Sequence, residues 1–393
     1  MPSAQDTSRA FMPYPQAPVP HAPSGPLAGL TFGVKDLFDV AGYPTSAGQP
    51  LWLALSGIKQ TTAPTVQRLL DAGARFAGKT VTDELAFSMT GRNAHFGSPV
   101  NGAAPDRITG GSSSGSASAV SHRLCDFALG TDTGGSVRAP ANHCGLFGLR
   151  PTHGRVSLQG AVDLSPSFDS CGWFARDIAP FARVADALLG ADAAPLPAAP
   201  RLLAPSDVWA LLSASVQDAL AAPRARVEAA LSAAKPVDAV LGSFDEMFWS
   251  FRYLQGREAW QSDAAFIERY QPVLGCAVAQ RFTWSRGVTD AQVAQATAFR
   301  ARFRAHLAAL LGSDGVLIMP TMPDVAPLTR ADEDDIESYR NQATYMLCIA
   351  GLAGFPQLSM PIAKRLGAPL GVSLLGPAGS DRSLVRLAER IVA

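Results

Sequence analysis

The sequence predicts an α/β fold. Short apolar runs such as LTFGV, DFALG, GVLIM and PQLSMPI have the length of buried strands, and they alternate with helix-like segments such as SASAVSHRL and ARVADALLG. With 393 residues, 47% of them hydrophobic and 17% charged, the chain is long enough to bury a large core.

Taken in order, residues 1–28 are rich in Pro and Ala without a continuous apolar stretch, which predicts a surface-hugging or partly disordered arm and no signal peptide. Lys35 follows in GVKD, between the apolar segments TFGV and LFDV, and is a candidate for burial. TTAPTVQRLLDAG reads as a helix with Thr62 as N-cap, Val66, Leu69 and Leu70 on one face and Gly73 as its stop. ARFAGKT is then the strand after it. A further helix begins near residue 114, with Ser113 either capping it or supporting Ser112. The Ala/Pro-rich stretch 192–207 reads as a connection leaving the core. Beyond it, 208–310 is mostly helical and holds four of the six tryptophans, Trp209, Trp249, Trp260 and Trp284. No internal repeat is visible.

Composition narrows the function. Lys plus Arg equals Asp plus Glu at 33 each, so no basic field points to nucleic acid or an anionic membrane, and small-molecule chemistry is the natural reading. No run of 18 apolar residues suggests a membrane span. The five cysteines lack a C-x-x-C pair, which fits free thiols in a reducing cytoplasm. His21, His95 and His122 are scattered without ligand spacing, so no metal is expected, and the chemistry requires no cofactor.

That chemistry is carried by two Gly/Ser clusters, GGSSSGSA at 110–117 and TDTGGS at 131–136, which place Ser112 and Ser136 24 residues apart. Consecutive small residues before Ser136 let several backbone N–H groups turn toward one point beside its hydroxyl, the geometry an oxyanion needs. With Lys35 upstream, the set points to a serine amide hydrolase that works without histidine. Burial would lower the lysine pKa toward neutrality, and about three units of lowering cost roughly 4 kcal/mol, so the site must be rigid. Three other motif matches compete. GARFAGKT at 73–80 satisfies the phosphate-loop pattern, but a helix precedes it and a strand carries it, the reverse of the required order. Gly111–Gly115 fits the nucleophile elbow with Ser113 at its centre; His143, His153 and His306 could formally complete it, but none accounts for the second serine cluster. SGIK at 56–59 copies S-x-x-K without its partner motif.

GVKD (33–36), GGSSSGSA (110–117), GTDTGGSVRAPANHCGLFGLRPT (130–152) and LIMPTMPDVAP (317–327) together resemble the amidase signature enzymes, strongly over 29–190 and moderately over 315–393. The resemblance implies Ser136 as nucleophile, Ser112 as a bridging serine preceded by a cis peptide, and Lys35 as base. It further implies an oxyanion hole from the amides of Thr133, Gly134, Gly135 and Ser136. It implies one large domain over 29–393, a central mixed β-sheet sandwiched between helices, with 208–310 as a variable substrate-pocket segment. Asp132 and Arg138 are expected to hold the loop in shape, since charges buried there need pairing. GKTVTDELAFSMTGRNAHFGSPVN and PTHGRVSLQGAVDLSPSFDSCGWFARD are most similar to the indole-3-acetamide hydrolase type. Small neutral amides with an aromatic or other apolar acyl group are therefore the expected substrates, with Phe248, Trp249, Tyr253 and Trp260 as pocket candidates. The alternative within the family is a glutamine-hydrolysing amidotransferase subunit working in a complex. Family members usually carry an extra helical segment before the lysine strand, for which little room remains here, and a homodimer is left open.

Overall fold

The computed structural model describes residues 7–393. Its strands, in chain order, are β1 (Thr31–Lys35), β2 (Arg75–Thr80), β3 (Phe127–Thr131), β4 (Phe147–Arg150), β5 (Cys171–Ala175), β6 (Arg201–Pro205), β7 (Lys235–Val237), β8 (Gly315–Pro320), β9 (Gln357–Arg365) and β10 (Ala368–Leu375). They form one mixed sheet in the order β2-β1-β3-β5-β4-β9-β10-β8-β6-β7. The trios at the two edges, β2-β1-β3 and β8-β6-β7, are parallel, and the ladders between β3 and β8 are antiparallel.

The helices are α1 (Pro50–Ser56), α2 (Pro64–Asp71), α3 (Ser114–Ser121), α4 (Arg138–Cys144), α5 (Ile178–Leu189), α6 (Ser206–Trp209), α7 (Ala214–Ala230), α8 (Phe244–Tyr270), α9 (Cys276–Arg286), α10 (Asp290–Leu311), α11 (Glu333–Ala353) and α12 (Asp381–Val392). Side-chain alternation along the strands explains why the sheet is covered on both faces. Phe127 and Leu129 of β3 join Phe32, Val34 and Trp173 in the core that α2, α5 and α12 close with Leu69, Val184 and Leu384. Ala128, between them, belongs to a second core with Phe174, where Ala117 and Val120 of α3 and Ala141 of α4 pack. Small residues on that face let α3 approach closely: a Cβ on Gly115 would lie 2.4 Å from the Val81 nitrogen and the Ala10 carbonyl.

Two local expectations change. Helix α2 starts at Pro64 with Ala63 in the N-cap position and no side-chain cap, because proline pre-sets the first turn and holds its predecessor extended. Thr62 instead accepts a hydrogen bond from the Ala41 amide at 3.1 Å. The stretch 192–207 is more than a connection, since its RLLAP segment is strand β6, inserted between β8 and β7 with Leu202 and Leu203 buried. The N-terminal arm lies partly outside the described residues; from residue 7 on it hugs the sheet edge, where the Met12 amide donates to the Lys79 carbonyl at 2.9 Å and Ala10 is buried.

Candidate active site

Parallel strands β1 and β3 are neighbours, so their C-terminal ends reach the same edge of the sheet and bring Lys35 beside Thr131. Lys35 is fully buried, and its Nζ donates to Ser112 Oγ at 2.8 Å and to Thr131 Oγ1 at 2.8 Å. Burial lowers the ammonium pKa to about 7, against the opposing pull of the Asp83, Asp169 and Asp132 carboxylates. A neutral amine is therefore accessible near neutral pH.

Ser112 follows a cis peptide from Gly111. Its carbonyl accepts from the Asp83 amide at 3.0 Å and the Thr82 hydroxyl at 3.1 Å. The Asp83 carboxylate, pushed upward in pKa by burial, accepts from the Gly91 amide at 3.0 Å and lies against Gly111, where a Cβ would come within 2.2 Å of Oδ2. Ser113 occupies the N-cap position of α3 but makes no capping bond. Its hydroxyl instead bridges both backbone groups of Thr131, at 3.2 Å each, and so braces the residue that holds Lys35.

Ser136 lies in the turn between β3 and α4, where its carbonyl accepts from the Ser113 amide at 3.4 Å. The two serine clusters are thereby tied together, although among the described residues no hydrogen bond joins the Ser112 and Ser136 hydroxyls. Asp132 shapes this turn as expected. Its carboxylate accepts from the amides of Gly135 (2.9 Å), Val137 (3.1 Å) and Arg138 (3.2 Å), and from the guanidiniums of Arg138 (2.7 Å) and Arg150 (3.1 Å). Burial alone would raise its pKa, but those two cations and the amides hold it well below the usual carboxylate range. Because the Gly135 amide is committed to Asp132, it is withdrawn from the expected oxyanion donors. Among the described residues, the amides of Thr133, Gly134 and Ser136 donate to no protein acceptor.

Ser136 and Gly134 open onto a narrow cleft. Ala86, Phe87, Ser88, Met89 and Leu164 form one side; Phe251, Arg252 and Gln255 of α8 with Arg340 and Thr344 of α11 form the other. Phe248, Trp249, Tyr253 and Trp260 do not line it, a correction to the pocket expected from the aromatic segment. Phe248 packs on Tyr345, Tyr253 stacks on Trp249 and on Trp284, and Trp260 joins a satellite core under Arg286. The helical phase of α8 turns Phe251, not its aromatic neighbours, toward Gly134.

The competing motifs dissolve in this geometry. Helix α2 precedes strand β2 across 73–80, and Lys79, where a phosphate loop would present its lysine, is buried in an ion pair with Asp36 at 2.7 Å. Ser113 is fully buried, and no histidine bonds to it, to Ser112 or to Ser136 among the described residues; His143 is engaged by the Tyr339 hydroxyl at 2.9 Å. Ser56 accepts from the Thr45 amide at 3.0 Å, while Lys59 pairs with Asp39.

The amidase family profile matches residues 9–236 and 259–385. The chain belongs to the amidase signature family. It is 38% identical over 397 residues to Amidase 1 of Arabidopsis thaliana, covering 93% of each chain. It is 36% identical to a glutamyl-tRNA(Gln) amidotransferase subunit of Thermus thermophilus, covering 93% of this chain and 84% of that one. A solved amidase structure superimposes with a TM-score of 0.84 at 31% identity, over 94% of this chain and 85% of the other. The fold, a single α/β unit around one mixed sheet, and hydrolytic amidase activity follow from this membership.

The structure adds Thr131, Asp83, Arg150, Phe251, Arg252 and Arg340 to the site. For Asp83 and Arg150 a signal existed, a charge inside a largely apolar string. For the α8 and α11 residues none did, because their relevance depends on which face each helix turns to the sheet.

Proposed function

We propose that this amidase hydrolyses linear amides to a carboxylic acid and ammonia or an amine, with Ser136 as nucleophile, Ser112 as proton bridge and Lys35 as base. The observation that carries the reading is a fully buried lysine with its pKa lowered to about 7, hydrogen-bonded to Ser112 next to the cavity that Ser136 lines. Neutral Lys35 takes the Ser112 proton while Ser112 takes that of Ser136, whose Oγ attacks the amide carbon. The link between the two serine hydroxyls is the contact that closes with substrate in place. The oxyanion is received by the free amides of Thr133, Gly134 and Ser136. As the C–N bond breaks, the proton returns through Ser112 to the leaving nitrogen, and an acyl-Ser136 remains. Water, deprotonated by the same relay, adds to the acyl carbon; as the bond to Ser136 Oγ breaks, the proton returns through Ser112 to that oxygen and the acid leaves.

Ser136→Ala should lower kcat about a thousandfold or more with an unchanged thermal midpoint, since it removes the nucleophile and little volume. A fluorophosphonate probe should label Ser136; labelling at Ser113 instead would overturn the assignment. Similarity to the indole-3-acetamide hydrolase type makes arylacetamides the first neutral substrates to assay. The likeness to an amidotransferase subunit supports a second reading, glutamine hydrolysis within a complex, which a preference for glutamine and a copurifying partner would favour. All five cysteines are free and no helix of the described residues is long and apolar enough to cross a membrane, which supports a cytoplasmic setting.

A further inference from the structure

The cavity wall facing Ser136 is charged. Arg252 and Arg340 line it, no acidic side chain does, and Arg281 stands directly behind. One carboxylate, that of Glu337, lies among these three guanidiniums. Arg340 Nη1 donates to Glu337, and Arg281 Nη2 reaches the same carboxylate at 3.5 Å while its Nη1 donates to the Phe87 carbonyl at 2.9 Å. Arg252 has no acceptor among the described residues. Its guanidinium lies 4.9 Å from the Trp284 ring centroid and 5.9 Å from that of Phe248, so the aromatic cluster of α8 and α9 holds the cation in place without neutralising it. Burial and mutual repulsion depress the pKa of Arg252 and Arg340, and Glu337 offsets this only in part. In a chain that is otherwise balanced at 33 positive and 33 negative side chains, this wall is a local excess of positive charge.

We propose that the acyl group of the physiological substrate ends in a carboxylate, which Arg252 and Arg340 bind while the amide at the other end lies over Ser136. The substrate class is the ω-amic acid, a methylene chain with a primary carboxamide at one end and a carboxylate at the other, and the proposal rests on the amide-hydrolase reading above. A guanidinium presents paired N–H donors that match a carboxylate. The chain between the two ends meets apolar surface at Phe251, Leu164 and Ala86. Two other substrate classes fit less well. A neutral arylacetamide leaves the Arg252 charge uncompensated. Glutamine brings an ammonium as well as a carboxylate, and the lining offers that ammonium no acid.

The test compares glutaramate with valeramide, which has the same carbon chain with a methyl in place of the carboxylate, on the purified full-length chain. Glutaramate is expected to exceed valeramide in kcat/KM by about tenfold or more, the size a charge-assisted bond confers, with the advantage shrinking as salt rises. Glutarate, which cannot be hydrolysed, should slow fluorophosphonate labelling of Ser136. Arg252→Gln should bring the two amides toward parity through a higher KM for glutaramate and should abolish glutarate protection, whereas Arg252→Lys keeps part of both. Parity of the two amides, absence of protection, or a preference that survives in Arg252→Gln overturns the proposal while Ser136 labelling leaves the hydrolase reading standing. Failure of Ser136 to label at all removes the hydrolase reading and this proposal with it.

Discussion

A lysine that is fully buried and donates only to hydroxyls, those of Ser112 and Thr131, is kept by burial near the point where it loses its proton. Its neutral fraction grows as pH climbs through about 7, so kcat/KM should rise over that range along one ionisation and then level off. Lys35→Arg should be as inactive as Lys35→Ala, because a guanidinium stays protonated; a pH–rate profile and the two variants check this together. The same displacement sets a stability trend. Between about 7 and the ordinary value of 10.5 the unfolded chain binds a proton that the folded chain has lost, so this group's contribution improves as pH rises through that window. That Lys35 meets Ser112 and that the two serine clusters lie together was legible in the sequence, because each sits in a string whose residue types suit one chemistry. The withdrawal of Gly135 was not, since it depends on where the Asp132 carboxylate lands, and that is fixed by Arg138 and by Arg150 arriving from β4.

At the level of elements, the aromatic segment is helical, but Phe248, Trp249, Tyr253 and Trp260 lie outside the cavity lining. Alternating bulky residues over 248–261 mark a packed surface, yet only the docking of α8 against α9 and α11 decides that Phe251, Arg252 and Gln255 meet the cavity and that Trp249, 44% exposed, does not. Gly134 brings the turn that carries Ser136 against α8: a Cβ there would stand 2.7 Å from Phe251 Cζ. Gly134→Ala should therefore push the α8 wall and displace an amide beside Ser136, lowering kcat/KM by about tenfold or more. Phe251→Leu in the same chain should recover part of the loss, giving a favourable coupling in a double-mutant cycle, whereas Trp249→Ala gives neither effect. Strictly additive losses would show that the two elements do not act on each other at this contact.

At the level of the whole molecule, sequence indicated an α/β unit but not its strand order, because β9 and β10 enter the sheet between β4 and β8 through pairings with residues far away along the chain. Those late elements are joined to the early ones by one charged knot. Arg138 links the Asp132 carboxylate to the Leu347 carbonyl of α11 at 2.8 Å and to Gln357 of β9 at 2.6 Å, and Arg150 carries it to the Phe168 carbonyl at 2.7 Å. Asp132, Arg138 and Arg150 are all fully buried. Asp132→Asn keeps the shape but leaves two buried guanidiniums without a counter-charge, and breaking such a pair costs about 3–5 kcal/mol. Urea unfolding should show that loss, with the turn that carries Ser136 relaxed and activity gone even under conditions where the variant remains folded. The native knot also sets acid tolerance. A carboxylate held below its ordinary range contributes stability that is present above the unfolded pKa of about 4 and is lost as pH falls through the folded value. The gap in unfolding free energy between wild type and Asp132→Asn should thus be widest near neutrality and narrow on acidification below pH ~4; a gap that stays constant with pH would mean that the knot acts through shape alone.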